Sequence, residues 1–320
     1  MEPGHWCLML CSALATGVSS SLVTVILTPS GELEVVEGWR EEESWVARAN
    51  LTDSQQQTGW LQLSVDSNPA RSNLEQAEGA GVAEGYLTRD LIHGYYLEFI
   101  HRDLCGVSAD FCRWIQERLA WQEEASRSRG STDPYWEQVS LFYHQMEGLR
   151  QGWQARTQED GFQPSQDFDL KWFGHMINFL PDISDYIHHY KEELAARQGV
   201  GLRLGEGLGS SLPLRAALPS CSVLVRRLPS GQAVVGHATW HDYRAMGYRL
   251  TKRYSLPYRL AGGGLVPGHR LAMTSYAGTL YSLDDFYVLS SGLVTTETTL
   301  FVYNKELFKK IPPGEGVSSL

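Results

Sequence analysis

The period of the apolar residues changes twice along the chain, and this change limits the folds that the sequence can adopt. Residues 22–27 form a β-branched run and residues 60–65 alternate apolar with polar side chains, as strands do. From residue 73 to residue 197 the apolar positions recur at helical spacing. Strand patterns return from residue 221. Helices between two strand-rich regions predict the α+β class.

The same patterns predict individual elements. Four strands are expected in the first region, at residues 22–27, 34–36, 45–48 and 60–65. The simplest arrangement for them is an antiparallel meander. Helices are expected at residues 74–104, 111–125, 135–153, 167–179 and 182–197. Three later strands are expected at residues 271–276, 286–290 and 293–300.

A basic stretch begins at residue 242. Residues 242–254 predict a further helix, on which four basic residues form a face that is solvated or contacts anionic groups. These residues are Arg244, Arg249, Lys252 and Arg253.

A hairpin is predicted at the start of the second strand-rich region. Residues 222–228 and 232–237 are strand-like, and Pro229-Ser230-Gly231 joins them. Proline presets φ for a turn, and glycine tolerates a positive φ. Residues 199–213 contain five glycines, two serines and a proline, which predict a flexible arm before the hairpin.

Cys221 stands where this arm meets the first hairpin strand, and the residues alone leave its role open. It is either a buried structural cysteine or the site of self-cleavage between Ser220 and Cys221. In self-cleavage the thiol attacks the carbonyl of Ser220, an N→S shift gives a thioester, and water releases a new N-terminus. The released amine, with a pKa of ~7.7–8.0, can take the proton of a thiol with a pKa of ~8.5.

Residues 221–229, C-S-V-L-V-R-R-L-P, resemble the C-S-A-L-I-K-x-L-P segment of the phospholipase B-like family. The members of that family are lysosomal N-terminal nucleophile hydrolases. Other segments are similar to that family in the same order, over roughly residues 55–312. These segments are residues 58–60, 84–88, 133–136, 237–240 (H-A-T-W), 275–278 (S-Y-A-G) and 284–299.

This resemblance implies a fold and a set of site residues. The fold is the αββα sandwich, with residues 22–67 and 221–300 in its two stacked sheets and the C-terminal part incomplete. Cys221 matches the nucleophile, His237 and Trp240 match a pocket pair, and Thr299 matches a pocket threonine. Without the resemblance, His237 is a hydrogen-bonded histidine at a strand end and Trp240 is a core aromatic residue.

The resemblance also implies an activity. The expected enzyme cleaves itself before Cys221 and then hydrolyses phospholipid esters or N-acyl amides through a thioacyl-enzyme. Family members continue beyond the position of Leu320, so the alternative is a truncated, inactive binding glycoprotein of the lysosome or the secreted fraction. A third reading makes Cys221 a disulfide partner of another chain.

The N-terminal part has features of a secreted chain. Residues 1–20 predict a signal peptide, residues 21–220 an N-terminal fragment, and residues 221–320 the start of the fragment that begins with the nucleophile. Cys105 and Cys112 are close enough in sequence for a disulfide loop in an oxidising compartment, and Asn50 begins a glycosylation sequon. Lysosomal lumen or secretion is the expected location.

Composition and motif spacing argue against several other functions. A net charge of −10 argues against nucleic acid as a partner. The sequence has no run of 18 consecutive apolar residues, so no membrane span is predicted. The glycine-rich segments lack the lysine of a phosphate loop, and the histidines lack metal-ligand spacing, so we expect neither a cofactor nor a metal. A homodimer is left open.

Overall fold

The computed structural model describes residues 19–41, 43–100, 109–179, 190, 220–241, 243–298, 304 and 306–307. The strands before the long helices are β1 (Ser19–Leu27), β2 (Leu33–Glu37), β3 (Trp45–Ser54) and β4 (Trp60–Ser67). The later strands are β5 (Ser220–Arg227), β6 (Ala233–Trp240), β7 (Arg249–Ser255), β8 (Arg270–Tyr276), β9 (Phe286–Leu289) and β10 (Val294–Thr296). The α-helices are α1 (Gln55–Thr58), α2 (Asn73–Leu87), α3 (Arg89–Tyr95), α4 (Ala109–Arg129), α5 (Pro134–Asp160) and α6 (Leu170–Asn178).

Most of the strands belong to one mixed sheet. Among the described residues it has eight strands in the order β10-β9-β8-β7-β4-β3-β1-β2, and β5 and β6 form a separate two-stranded sheet. All neighbours in the large sheet are antiparallel except β4 and β7, which are parallel. Parallel neighbours need a long crossover, and helices α2 to α6 and the β5–β6 hairpin lie in it. The predicted α+β class is confirmed.

The meander expected for the first four strands is wrong. Their order is β4-β3-β1-β2, so β1 lies between β2 and β3. Val23 and Val25 of β1 are buried in the core, whereas β2 carries Glu34 and Glu37. A long apolar strand gains more from pairing on both sides, and a short charged strand is suited to the edge.

The described residues do not form two stacked sheets of comparable size. The strands at residues 19–67 and 249–296 join the same sheet, and of the strands in the described ranges only β5 and β6 stand apart from it. The four-layer sandwich therefore stays a prediction. The helix predicted at residues 182–197 falls outside the described residues except for residue 190.

The helix predicted at residues 242–254 is also wrong. A short 3-10 helix covers Tyr243–Tyr248, and β7 follows it directly. Leu250, Lys252 and Tyr254 alternate inward along β7 and are buried. The basic residues at positions 249, 252 and 253 have the spacing of one helix face, which explains the wrong prediction. Lys252 lies in the core, where tertiary contacts rather than local spacing decide the conformation.

Side-chain caps fix where two of the long helices begin. Ser72 and Glu75 form a capping box at the start of α2. Asp133 accepts the backbone N–H of Tyr135 at 2.9 Å, and Pro134 occupies the first turn of α5. These caps place α2 and α5 so that they can pack along one another.

The contact between α2 and α5 is made through glycine. A Cβ atom added at Gly81 or Gly85 would overlap the backbone of α5, and one added at Gly148 or Gly152 would overlap the backbone of α2. The two helix backbones therefore touch, which larger residues would prevent. The spacing of four within each pair places both glycines of a helix on one face, a signal that the sequence analysis did not use.

A buried ion pair joins α2 to the sheet. Lys252 Nζ lies 2.7 Å from Glu84 Oε1, donates to the carbonyl of Thr279 at 2.5 Å, and both charged side chains are fully buried. The hydroxyl of Tyr254 donates to the other oxygen of Glu84. Burial lowers the pKa of Lys252 and raises that of Tyr254. Each buried charge here has a partner, as the low dielectric requires.

The glycine contact can be tested with two helical Gly→Ala substitutions. We expect Gly152→Ala to lower the free energy of unfolding by about 1–3 kcal/mol, because the new methyl group forces α2 and α5 apart. Gly174→Ala in α6 is the matched control, since a Cβ there meets nothing within 4 Å. It should be neutral or stabilising by about 0.5–1 kcal/mol. Chemical denaturation of both variants measures the difference, and equal stabilities would contradict the contact.

Candidate active site

The β5–β6 hairpin brings Cys221 and His237 to the same face. Its turn is closed by a hydrogen bond from the Leu228 N–H to the Gln232 carbonyl at 2.7 Å, and Gly231 has a φ of 85°. Cys221 pairs with Thr239, which is two residues from His237. Because side chains alternate along a strand, these three lie on one face. The predicted hairpin is confirmed.

Cys221 is half-buried and is a free cysteine. Its Sγ receives the backbone N–H of Trp240 and lies 3.7 Å from Asp285 Oδ2. The hydroxyl of Thr298 donates to the Cys221 carbonyl at 3.2 Å. Burial raises the pKa of the thiol, and the negative charges of Asp285 and Asp284 add to this.

Asp285 is a site residue that the sequence analysis missed. It lies in the turn before β9 and has a φ of 55°, a conformation that Asp adopts more readily than most residues. Its N–H donates to the Ser282 carbonyl at 3.0 Å, and its carbonyl accepts the N–H of Glu297 at 3.2 Å. Burial and the nearby charge of Glu297 raise its pKa to about 6. The pair Asp284-Asp285 in the sequence could have indicated this site residue, but it served above only as a point of similarity to the family.

His237 is held at both ring nitrogens. Nε2 lies 2.9 Å from the carbonyl oxygen of Glu297, and Nδ1 lies 3.2 Å from Thr239 Oγ1. A carbonyl oxygen only accepts, so Nε2 must carry the proton of the hydrogen bond. A ring nitrogen of His237, the sulfur of Cys221 and a carboxylate oxygen of Asp285 all lie within 4.8 Å of one another.

A cavity of about 630 Å³ opens beside this group. His237 and Trp240 both line it, as the family's pocket pair implies. Trp240 is nevertheless 64% exposed and so is not the core residue that strand position alone suggested. Arg249 also lines the cavity, with its guanidinium carbon 4.4 Å from the ring centroid of Trp60.

Several predicted positions lie apart from this group or beyond the described residues. Thr299 is not among those residues, although its neighbour Thr298 contacts Cys221. Cys112 is disulfide-bonded, but Cys105 is outside the described part, so their pairing stays a prediction. Asn50 lies on β3, is half-buried and accepts a hydrogen bond from Ser20 at 2.6 Å. Its glycosylation stays a prediction.

The family of the chain follows from its similarity to known proteins. The sequence profile of the family described as Phospholipase B matches residues 47–319. The chain therefore belongs to this family, and the resemblance seen in its motifs is confirmed.

Individual relatives agree with this assignment. Human and bovine proteins named "Putative phospholipase B-like 2" are 33% and 32% identical to the chain, over 92% and 91% of it. Phospholipase B-like protein A of Dictyostelium discoideum is 29% identical over 83%. The matches cover 48%, 47% and 46% of these relatives, so the chain spans about half of their length.

The electrostatic contact between Asp285 and the thiol predicts a change in reactivity. Asp285→Asn removes the nearest negative charge, which should lower the pKa of Cys221 and speed its alkylation by iodoacetamide several-fold at neutral pH. Mass spectrometry of the Cys221 peptide over time measures this rate. Asp284→Asn is the matched control and should have a smaller effect. Slower alkylation in Asp285→Asn would contradict the contact.

Proposed function

We propose that the protein is a hydrolase that cleaves its own backbone before Cys221 and then uses Cys221 as a nucleophile. The observation that supports this most is the free thiol of Cys221 at the start of the hairpin strand β5, in contact with Asp285 and next to His237. Membership of the Phospholipase B family supports the same reaction class.

In the first step the sulfur of Cys221 attacks the carbonyl carbon of Ser220. The carboxylate of Asp285, near the thiol, accepts the thiol proton. The C–N bond to Cys221 breaks as the C–S bond forms, and the nitrogen takes up a proton to become an amine. Water then hydrolyses the thioester, which leaves Ser220 as a carboxylate and Cys221 as an N-terminal residue.

In the second reaction the new amine of Cys221 takes the proton of its own thiol, and the thiolate attacks a substrate carbonyl. An alcohol or amine leaves, and water releases the acyl group from sulfur. The hydroxyl of Thr298 holds the backbone of Cys221 at its carbonyl. His237, fixed by Glu297 and Thr239, orients the amine or donates to the substrate carbonyl.

The cavity supports a phospholipid as substrate, with an N-acyl amide as the alternative. Its volume of about 630 Å³ is within the ~300–1,000 Å³ of small-molecule sites. Trp240, Tyr243 and Met246 line it and are exposed, so an acyl chain would find apolar surface there. Arg249 is a cation in the same cavity and suits a phosphodiester.

Self-cleavage predicts two fragments that meet at Ser220 and Cys221. We expect intact-mass measurement of the purified chain, incubated between pH 4.5 and 8, to show both fragments. Cys221→Ala should remain one chain because no sulfur can attack. Ser222→Ala, one residue further on and exposed, should cleave like the unchanged protein. Absence of fragments at every pH, or fragments in Cys221→Ala, would contradict self-cleavage.

The role of Arg249 predicts a difference between substrates. Arg249→Gln should lower kcat/KM for a lysophospholipid at least about tenfold, because a charge-assisted hydrogen bond contributes ~1.5–3 kcal/mol. It should leave a neutral N-acyl amide nearly unaffected. Arg253→Gln removes an exposed charge on the same strand and is the control. Equal losses for both substrates would show that Arg249 does not recognise phosphate.

A second candidate is a binding protein without turnover. Both faces of the hairpin favour it, because the neighbouring residues Leu224 and Val225, whose side chains lie on opposite faces, are 68% and 65% exposed. Turnover of a phospholipid or N-acyl amide that is lost in Cys221→Ala would exclude this candidate.

The proposed location rests on sequence features rather than on the site. We place the protein in the lysosomal lumen or outside the cell, on the basis of the predicted signal peptide and the sequon at Asn50. None of the helices in the described ranges is both long and apolar enough to cross a lipid bilayer.

A further inference from the structure

Three side chains that can bind a metal ion meet at the candidate active site. Cys221 comes from β5, His237 from β6 and Asp285 from the turn before β9, and their ligand atoms lie within 4.8 Å of one another. The sequence predicts no metal, because the histidines lack metal-ligand spacing, and Cys221, His237 and Asp285 are far apart in the chain. The fold supplies the proximity that the spacing lacks.

The distance between the sulfur of Cys221 and the carboxylate of Asp285 suits a tetrahedral site. A metal with Zn–S of ~2.3 Å and Zn–O of ~2.0–2.2 Å separates the two ligand atoms by roughly 3.5 Å. The sulfur of Cys221 and Oδ2 of Asp285 are 3.7 Å apart. Only a small movement of the half-buried side chains would bring them into coordination geometry.

The hydrogen bonds of His237 prepare its ring for a metal. Metal-binding histidines usually donate their other N–H to a carbonyl or carboxylate, which fixes the tautomer. Nε2 of His237 donates in this way to the carbonyl of Glu297 at 2.9 Å. The lone pair of the neutral ring is then on Nδ1, which faces Thr239 Oγ1. The Thr239 hydroxyl can keep its hydrogen bond to the Asp284 carbonyl at 2.9 Å.

The charges around the group also favour a cation. Asp284, Asp285 and Glu297 all act on this site with negative charge. Within the described ranges, no lysine or arginine forms an ion pair with any of them. A bound cation would compensate this charge.

We propose that Cys221, His237 and Asp285 bind Zn²⁺, with water in the fourth position. A thiolate, an imidazole and one carboxylate are the ligands that Zn²⁺ prefers, whereas Mg²⁺ and Ca²⁺ need more oxygen ligands. Binding replaces the thiol proton, which is released to solvent.

Metal binding has a consequence for the reaction. The sulfur lone pair that would attack Ser220 is held in the Zn–S bond, so Zn²⁺ keeps the chain uncleaved until the metal is removed. This consequence rests on the proposed function, but the binding of the metal does not.

Cobalt(II) is the probe for the site, because it occupies zinc sites and its spectrum reports the ligands. Titration of the reduced, metal-free full chain should give one equivalent of tetrahedral Co²⁺ with a thiolate-to-cobalt charge-transfer band. Zn²⁺ should displace it. Cys221→Ser, which changes one atom, should abolish the band. His237→Gln and Asp285→Asn should weaken binding at least ~10–100-fold, the loss that follows removal of even an outer-shell partner.

Two controls separate this site from other binding. Asp284→Asn removes the same charge one residue away from Asp285 and should keep the band and most of the affinity. Circular dichroism should show that every variant is folded. A titration without the band, or a band that survives in Cys221→Ser, overturns the proposal, since it means that the sulfur of Cys221 does not bind the metal.

Self-cleavage is followed in the same samples. Zn²⁺ should slow cleavage of the unchanged protein, and a chelator should restore it. The cobalt band without any cleavage, even after chelation, supports the metal site and contradicts the proposed function. Cleavage without the band supports the proposed function and overturns the metal site.

Discussion

The backbone contact between α2 and α5 is the constraint on which the rest of the structure depends. Two glycines on each helix allow the backbones to touch, so the position of α2 is fixed within narrow limits. A Cβ atom added at Gly79, on another face of α2, would overlap the side chain of Val46 in β3. The helix is therefore held between α5 and the sheet, and glycine is required on both of these sides.

This position of α2 sets where the second half of the sheet attaches. Glu84 reaches Lys252 and Tyr254 of β7, beside the parallel junction of β4 with β7. A buried carboxylate without its cation would be strongly destabilised. The pair therefore favours the register that places β7, and the strands β8 to β10 follow by antiparallel pairing.

The candidate active site lies where polar contacts attach the hairpin to the far strands of this sheet. Cys221 contacts Asp285 and Thr298, and His237 contacts Glu297. The apolar side chains Leu224 and Val225 contribute little to this attachment, since both are exposed. The residues proposed for chemistry and metal binding thus also position the hairpin, which makes the geometry of the site sensitive to its own protonation and ligation.

The sequence alone determined the α+β class and the hairpin, because these follow from local periodicity and turn chemistry, and its family motifs indicated Cys221 and His237 as site residues. It did not determine that Lys252 is buried, since a basic residue in a polar stretch is expected at the surface unless a buried partner such as Glu84 is known. It did not determine the order of β1 to β3 or the arrival of Asp285 at Cys221. Those depended on contacts between residues distant in the chain, whose energies only the packed tertiary structure decides.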